Sequence, residues 1–303
     1  MAGLKELRTR LNSVKSTGKI TMAMKLVAAS RLKKAVSALE KNAHYAHILE
    51  NAVMRVLTSY KKEEIEKKIK HILPSLLNMP QNPKSYLLIV FSAERGLCGS
   101  YNQNVAKTAE KRIKELQKDA KTVRIICYGK KAYDILKKKY RDLIVFHEPS
   151  FAGGGIFYDE AIEILEKITA FKKENGFDIC EIVFSHFHSA VNRDLTSKAL
   201  YPLDIKDLKT DDNSDHIDGA YFDYKPSRED VLAKAVEKLL LNRIFEAMLS
   251  AEASEQSARM LAMENATKNA DEMISDLTLK YNTLRQSAIT TELTEIISGA
   301  EAT

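Results

Sequence analysis

The sequence predicts an α/β protein in which N- and C-terminal helices form a long antiparallel coiled coil and a central α/β domain carries a largely parallel sheet. Three observations predict it. Both ends hold long, helically spaced apolar series almost free of proline and glycine, the middle alternates short β-branched apolar runs with helical stretches, and the two ends carry opposite charge. In residues 1–35 nine Lys and Arg stand against one acid, Glu6, whereas from Glu246 onward ten acids stand against four bases. Opposite charge favours the two ends lying side by side.

The first helix is expected over 1–60. Leu4, Leu7, Leu11 and Val14 step three and four; after a shift at Gly18–Ile20 the series resumes with Ala28, Leu32, Ala35 and Leu39, then Ala46, Leu49, Val53 and Val56. That is a coiled-coil seam, with Asn42 as a polar interruption of the kind that fixes register. A connector, 61–83, contains the breaker-rich run LPSLLNMPQNPK, which extends to Lys84. The central domain is expected over 84–205. Its strands are SYLLIVF (85–91), VRIICY (123–128), LIVF (143–146) and ICEIVFSHF (179–187), and its helices lie near 103–118, 130–139 and 157–173. A loop, 206–226, holds the acidic KTDDNSDHIDG. The last helix, 227–303, starts at Ser227, with Asp230 in the place of a capping-box acid.

No proline follows Pro226, and no glycine follows Gly219 until Gly299, so this helix is expected to run for about seventy residues, on the order of 100 Å. Its expected seam includes Val231, Ala235, Leu239, Leu261, Met273, Leu277, Tyr281, Leu284 and Ala288. Alanines at 258, 262, 266 and 270 stand four apart. Small side chains in a row let a partner backbone approach closely, which points to a tight antiparallel seam; a helix merely rich in good helix formers is the alternative.

At 303 residues with 45% apolar and 29% charged side chains, the chain reads as soluble and globular, and no apolar run is long enough to span a membrane. No secretory signal or transit peptide is visible, so a bacterial cytoplasm, or an organelle for a processed chain, is expected. Cys98, Cys127 and Cys180 are odd in number and widely spaced, and reduced thiols are expected.

Little in the chain advertises chemistry. ERGLCGSYN (94–102) follows a strand and precedes a helix, where α/β proteins place phosphate-binding loops, yet Gly96 and Gly99 lack both the Walker and the dinucleotide spacing, so a tight turn is the competing reading. AGGGIF (152–157) is equally weak. His186 and His188 share one face of a strand and could ligate a metal, but spacing supplies no third ligand. The basic face of 5–34 lacks aromatic side chains for base stacking, so an acidic protein surface fits it better than nucleic acid, and pairing with its own C-terminal helix is the plainer possibility. QSAITTELTEIISGAEAT, the last eighteen residues, has no cation and suits an apolar protein sleeve or a frayed end.

Four stretches together resemble the gamma subunits of the F-type, proton-driven rotary ATP synthases. They are LRTRLNSVKSTGKITMAMKLVAASRLKKA (7–35), ERGLCGSYN (94–102), SEQSARMLAMENATKNADEMI (254–274) and RQSAITTELTEIISGAEA (285–302), and the most specific residues are Ile289, Thr290, Glu292, Glu295, Gly299 and Ala300. The resemblance implies a rotor shaft that is not itself catalytic and needs no cofactor or metal. It implies a coiled coil inside a hexamer of alpha and beta subunits, a Rossmann-like α/β foot meeting epsilon and the membrane c-ring, and one copy per complex. It further implies a peripheral place on the cytoplasmic face of the bacterial inner membrane. By the same resemblance Met24, Arg259, Gln286 and Thr290 match residues that contact beta. A freestanding α/β nucleotide-binding enzyme with coiled-coil arms and a coiled-coil adaptor without rotary function remain the other readings.

Overall fold

The computed structural model describes residues 2–60, 80, 82–119, 121–149, 156–203 and 223–301. Most of the expected connector 61–83, the glycines of AGGGIF and the loop between residues 204 and 222 lie outside the described residues. The elements run α1 (Ala2–Thr58), β1 (Ser85–Phe91), α2 (Tyr101–Lys118), β2 (Thr122–Tyr128), α3 (Lys130–Tyr140), β3 (Ile144–Glu148), α4 (Tyr158–Asn175), β4 (Ile179–Phe187), β5 (Arg193–Tyr201) and α5 (Arg228–Glu301). They form two compact units: Met1–Ser30 with Leu97–Gly99 and Ala258–Thr303, and Arg31–Gly96 with Ser100–Ser257.

The second unit is a three-layer α/β structure. Its sheet has the order β3-β2-β1-β4-β5, parallel except for β5, which pairs antiparallel with β4. The four expected strands and three expected helices are present within a few residues of their predicted bounds. The strand β5 was not predicted: RDLTSKALY buries only its last two residues, and an edge strand with polar side chains gives no apolar run to read. Alternation along the strands divides the core between the faces. Leu87, Ile89 and Phe91 of β1 with Ile182 and Phe184 of β4 pack among Leu49, Val53 and Val56 of α1, Ile164 and Ile168 of α4, and Leu232, Leu239 and Ile244 of α5. On the opposite face α2 buries Val105, Ala109, Ile113 and Leu116, and α3 buries Ala132 and Leu136.

That opposite face contains one demanding polar contact. Glu181 on β4, 6% exposed, receives two bonds from Arg112 of α2, Nη2 to Oε1 at 2.6 Å and Nε to Oε2 at 2.8 Å, and a third from the Ser197 hydroxyl at 2.7 Å. These bonds hold the Arg112 guanidinium charged, raising its pKa above the ordinary value. At the start of α5 the Ser227 hydroxyl accepts from Asp230 N–H at 3.1 Å and donates to the Asp230 carboxylate at 2.6 Å, a capping arrangement adapted to the shorter acid.

In the first unit α1 and α5 form an antiparallel pair. Gly18 faces Ala270, where a Cβ built on Gly18 would stand 3.4 Å from the alanine Cβ. Next come the hydroxyls of Thr21 and Thr267 at 2.8 Å, then Lys25 Nζ with Glu264 Oε1 at 3.1 Å. As numbers rise on one helix they fall on the other, which fixes the antiparallel sense. The expected shift at Gly18–Ile20 does not occur. The three-and-four spacing continues through Gly18, Thr21 and Lys25, which an apolar count passes over, while Ile20 is 60% exposed. On α5 the buried positions are Ala258, Met263, Ala270 and Leu277, whereas Met273 and Leu284, expected on the seam, are 43% and 47% exposed. Small residues, Ala258 and Ala270, share the contact with Met263 and with Leu277, which was expected there. Asn42, further along α1 in the second unit, is buried on its seam position with no partner for its amide nitrogen among the described residues.

Candidate functional site

In open α/β sheets the crevice for ligands lies beyond the carboxyl ends of the strands, where the chain turns from one face of the sheet to the other. Here that crevice falls between β1 and β4, and α5 runs beside it, bonded to the end of β4 and to the β4–β5 hairpin. Ser250 accepts from Phe187 N–H at 2.8 Å, Ser254 donates to the Ser185 carbonyl at 3.0 Å, and Ser257 donates to the Ala190 carbonyl. Arg193 of β5 donates to the Ser254 carbonyl at 3.2 Å, and the Tyr101 hydroxyl at the head of α2 donates to the Ala251 carbonyl at 3.2 Å. Ser250, Ser254 and Ser257 are spaced four and three apart, so one helix face presents hydroxyls to the strand ends. The alanine pattern was read from the sequence and this serine row was not, although its spacing is equally regular.

The neighbouring helix N-terminus is also occupied. At the head of α3, Lys130 N–H donates to the Glu94 carboxylate at 3.1 Å, Lys131 N–H to the Ala93 carbonyl at 3.1 Å, and Ala132 N–H to the Ser92 hydroxyl at 3.1 Å. These are donors a phosphate would need. Gly129 makes the approach possible: its φ is +97°, and a Cβ there would lie 2.1 Å from the Ser92 carbonyl oxygen. In the ERGLCGSYN loop Leu97 and Gly99 adopt φ of 63° and 57°, and Cys98 is buried. In the first unit a Cβ built on Gly99 would stand 4.0 Å from the Ala262 Cβ. Positive φ at two of three consecutive residues makes this a tight turn, the form glycine favours.

His186 and His188 approach with ring centroids 4.7 Å apart, but His188 lies past the end of β4. His188 Nε2 sits 2.8 Å from Asp194 Oδ2, and His186 Nδ1 sits 3.5 Å from the Ser250 hydroxyl. Burial, reinforced by Lys198, lowers the His186 pKa. Among the described residues no group of three His, Cys, Asp or Glu side chains is arranged to hold a metal ion. The three cysteines are buried; burial pushes the Cys127 thiol up to about 12 and raises Cys180 as well, which keeps both protonated and inert.

The residues assigned to partner contact lie in the first unit, in two places. Met24 and Arg259 are both half-buried. The pairing of Lys25 with Glu264 puts Met24 opposite that turn, and Arg259 lies five residues further along α5, about 7.5 Å on the axis. Gln286 and Thr290 are exposed, and the Thr290 hydroxyl donates to the Gln286 carbonyl of its own helix at 2.9 Å. Continued at the same register, the pairing runs off the beginning of α1 near these two residues, roughly 35 Å along the axis from Glu264. The four do not form one cluster. Of the signature residues Ile289, Glu292, Glu295 and Ala300 are exposed, and Gly299 lies within α5. Around them Leu293, Ile296 and Ile297 are more than half exposed, a run of apolar side chains on an unaccompanied helix.

The fold and this geometry define a coiled-coil α/β protein whose long last helix is bonded to the end of β4 and leaves apolar side chains exposed toward its C-terminal end. The chain belongs to the ATP synthase gamma-chain family. The profile of the family described as ATP synthase matches residues 3–303. The ATP synthase gamma chains of a Ruegeria species and of Gluconacetobacter diazotrophicus are 40% and 37% identical over 302 residues, each match covering the whole of both chains. Two solved structures share the fold. One is a chain of the Euglena gracilis mitochondrial ATP synthase OSCP/F1/c-ring assembly, with TM-score 0.64 at 21% identity, covering 99% of this chain and 94% of that one. The other is from the Tetrahymena thermophila mitochondrial ATP synthase central stalk and c-ring, with TM-score 0.61 at 24% identity, covering 82% and 99%. Among the described residues no helix is long and apolar enough to cross a membrane.

Proposed function

We propose that the chain is the rotor shaft of an F-type ATP synthase, not catalytic itself, which couples ion flow through a membrane ring to ATP chemistry on beta subunits. Its partners are a hexamer of alpha and beta subunits around the coiled coil, and epsilon and the c-ring at the α/β unit, with one copy per complex. It sits peripherally on the cytoplasmic face of a bacterial inner membrane. The observation that carries the reading is the anchorage of α5: Ser250, Ser254 and Ser257 bind it to the end of β4 and the β4–β5 hairpin, beside the crevice where an enzyme of this fold would bind substrate. Such an anchorage ties a long helix to a stiff body, which is what transmitting torque requires. A rotating asymmetric shaft biases each beta site among conformations in turn, as a ligand would by differential contact.

In this reading Met24, Arg259, Gln286 and Thr290 are the contacts to beta. Charge-assisted and polar contacts of this kind can be broken and remade each turn, and salt screens them where they are exposed. The test is to mix the full chain with purified alpha and beta subunits and assay ATP hydrolysis across a size-exclusion profile. Activity confined to a large complex with one copy of this chain supports the shaft. Nucleotide hydrolysis by the chain alone overturns it. Within that complex Arg259→Ala is expected to lower turnover several-fold while nucleotide binding to beta is kept, and loss of that binding contradicts the assigned role.

A further inference from the structure

Residues 101–142 carry thirteen Lys and Arg against five acids, a net +8 that exceeds the +6 of the whole chain. The structure gathers much of this charge onto one face. Along α2 the exposed positions Lys107, Lys111, Lys114 and Lys118 recur at helical spacing, opposite the stripe that α2 buries on the sheet. Helix α3 packs beside α2, tied to it by Lys139 and Glu110 at 3.7 Å, and adds the exposed Lys130 and Lys138. None of these six ammonium groups has an ion-pair partner among the described residues. The acids between them are engaged: Glu115 by Arg112 and Asp134 by Lys137.

We propose that this outer face of α2 and α3 docks on the anionic headgroups of a lipid bilayer. The type of cation decides among partners. Lysine is a point charge on a flexible stem that tracks a diffuse, fluid layer of charge, whereas stereospecific recognition of a carboxylate or phosphate favours the arginine fork. The one arginine within α2, Arg112, is committed to Glu181. Protein interfaces are depleted in lysine and anchored by aromatic side chains, and single-stranded nucleic acid needs stacking platforms. No exposed large apolar side chain occurs between residues 101 and 142 among the described residues, and Tyr133 is stacked on His147 at 4.3 Å. A layer that ends in lysines with no anchor suits attraction to a charged surface without insertion. This inference stands apart from the rotor reading, since it concerns the isolated chain.

The experiment is sedimentation of the purified full chain with vesicles of phosphatidylcholine alone and of phosphatidylcholine containing phosphatidylglycerol. Binding is expected only to the anionic vesicles and is expected to fall as salt rises, because the Debye length shortens from about 10 Å at about 0.1 M. The triple variant Lys111→Gln/Lys114→Gln/Lys118→Gln is expected to lose about 100-fold in partitioning, close to five-fold for each charge removed. The control Lys5→Gln/Arg8→Gln/Arg10→Gln, on the basic N-terminal helix, is expected to keep most of the binding. Circular dichroism verifies that each variant is folded. No binding to anionic vesicles, equal binding to uncharged ones, or loss only in the N-terminal variant overturns the proposal. Capture by polyglutamate with indifference to vesicles assigns the face to an acidic protein instead and overturns it as well.

Discussion

The helices α1 and α5 each pass through two environments, and the difference between them separates stability from availability. In the α/β unit α1 buries Val53 completely and α5 buries Val236 and Ile244 completely, among strand residues that are themselves fully covered. In the coiled-coil unit the same helices meet through Gly18, Thr21, Lys25, Thr267 and Ala270, and leave Ile20, Leu26, Val27, Leu279 and Ile296 more than half exposed. One contact is thick with apolar atoms and the other is narrow, close and partly polar. Apolar burial contributes roughly 25 cal/mol per Å², so the first region supplies most of the folding free energy and the second leaves surface for another protein to cover.

The largest way to test that contrast is Gly129→Ala, which forces a Cβ to within 2.1 Å of the Ser92 carbonyl oxygen at a φ of +97°. A loss of about 3 kcal/mol or more is expected for the α/β unit in urea unfolding. An unchanged midpoint would show that the packing at the strand ends is looser than it looks. Next, Arg112→Met leaves the Glu181 carboxylate, with a side chain 7% exposed, without its main partner, and about 2 kcal/mol is expected to be lost. Adding Glu181→Leu should recover much of it, and no recovery would mean the damage came from packing.

In the coiled-coil unit a smaller and local effect is expected. Gly18→Leu pushes against Ala270, 3.4 Å from the first added atom, and should cost about 1 kcal/mol, because helices open to solvent can part. Hydrogen exchange should accelerate in residues 258–275 and not in the sheet; acceleration in both would erase the contrast. The smallest effect concerns pH. Asp178 accepts from Lys84 N–H at 2.7 Å and Ser85 N–H at 2.9 Å, and these bonds, the one from Lys84 foremost, hold its carboxyl below the usual carboxylate range. A depressed folded pKa contributes stability that is fully present above the unfolded value, about 4, and is lost as pH falls through the folded value. Asp178→Asn should therefore melt lower at neutral pH and show a shallower decline below pH about 4; an unchanged acid limb would remove Asp178 from that role.

How far the sequence could be read follows the chemistry of each contact. Buried parallel strands advertise themselves because both faces are apolar, so SYLLIVF and ICEIVFSHF were found where they lie. RDLTSKALY gives no such signal, since an edge strand with exposed positions resembles a loop. The coil was legible as a period, and the alanine row marked Ala258 and Ala270, which are buried, but Met273 and Leu284 are exposed against expectation and Gly18, with no side chain to count, gives no apolar signal. The contact residues proposed for beta came from a family resemblance and not from periodicity. Nothing in local pattern marks Arg259 or Gln286, whose proposed roles depend on a surface outside this chain.

By itself the sequence determined the helical ends, the tendency of their opposite charges to bring them side by side, the alternating strands and helices between them, and the membership of a family matched from residue 3 to 303. Periodicity and charge are properties of a single chain, and they survive being read in one dimension. Only the tertiary structure decided that α5 binds the end of β4 and the β4–β5 hairpin through Ser250, Ser254 and Ser257, and that Ser92, Ala93 and Glu94 satisfy the head of α3. It also decided that the lysines of α2 and α3 share one outward face. Those facts depend on which distant segments meet, and hydrogen bonds between small polar side chains and backbone leave no period in the sequence to announce them.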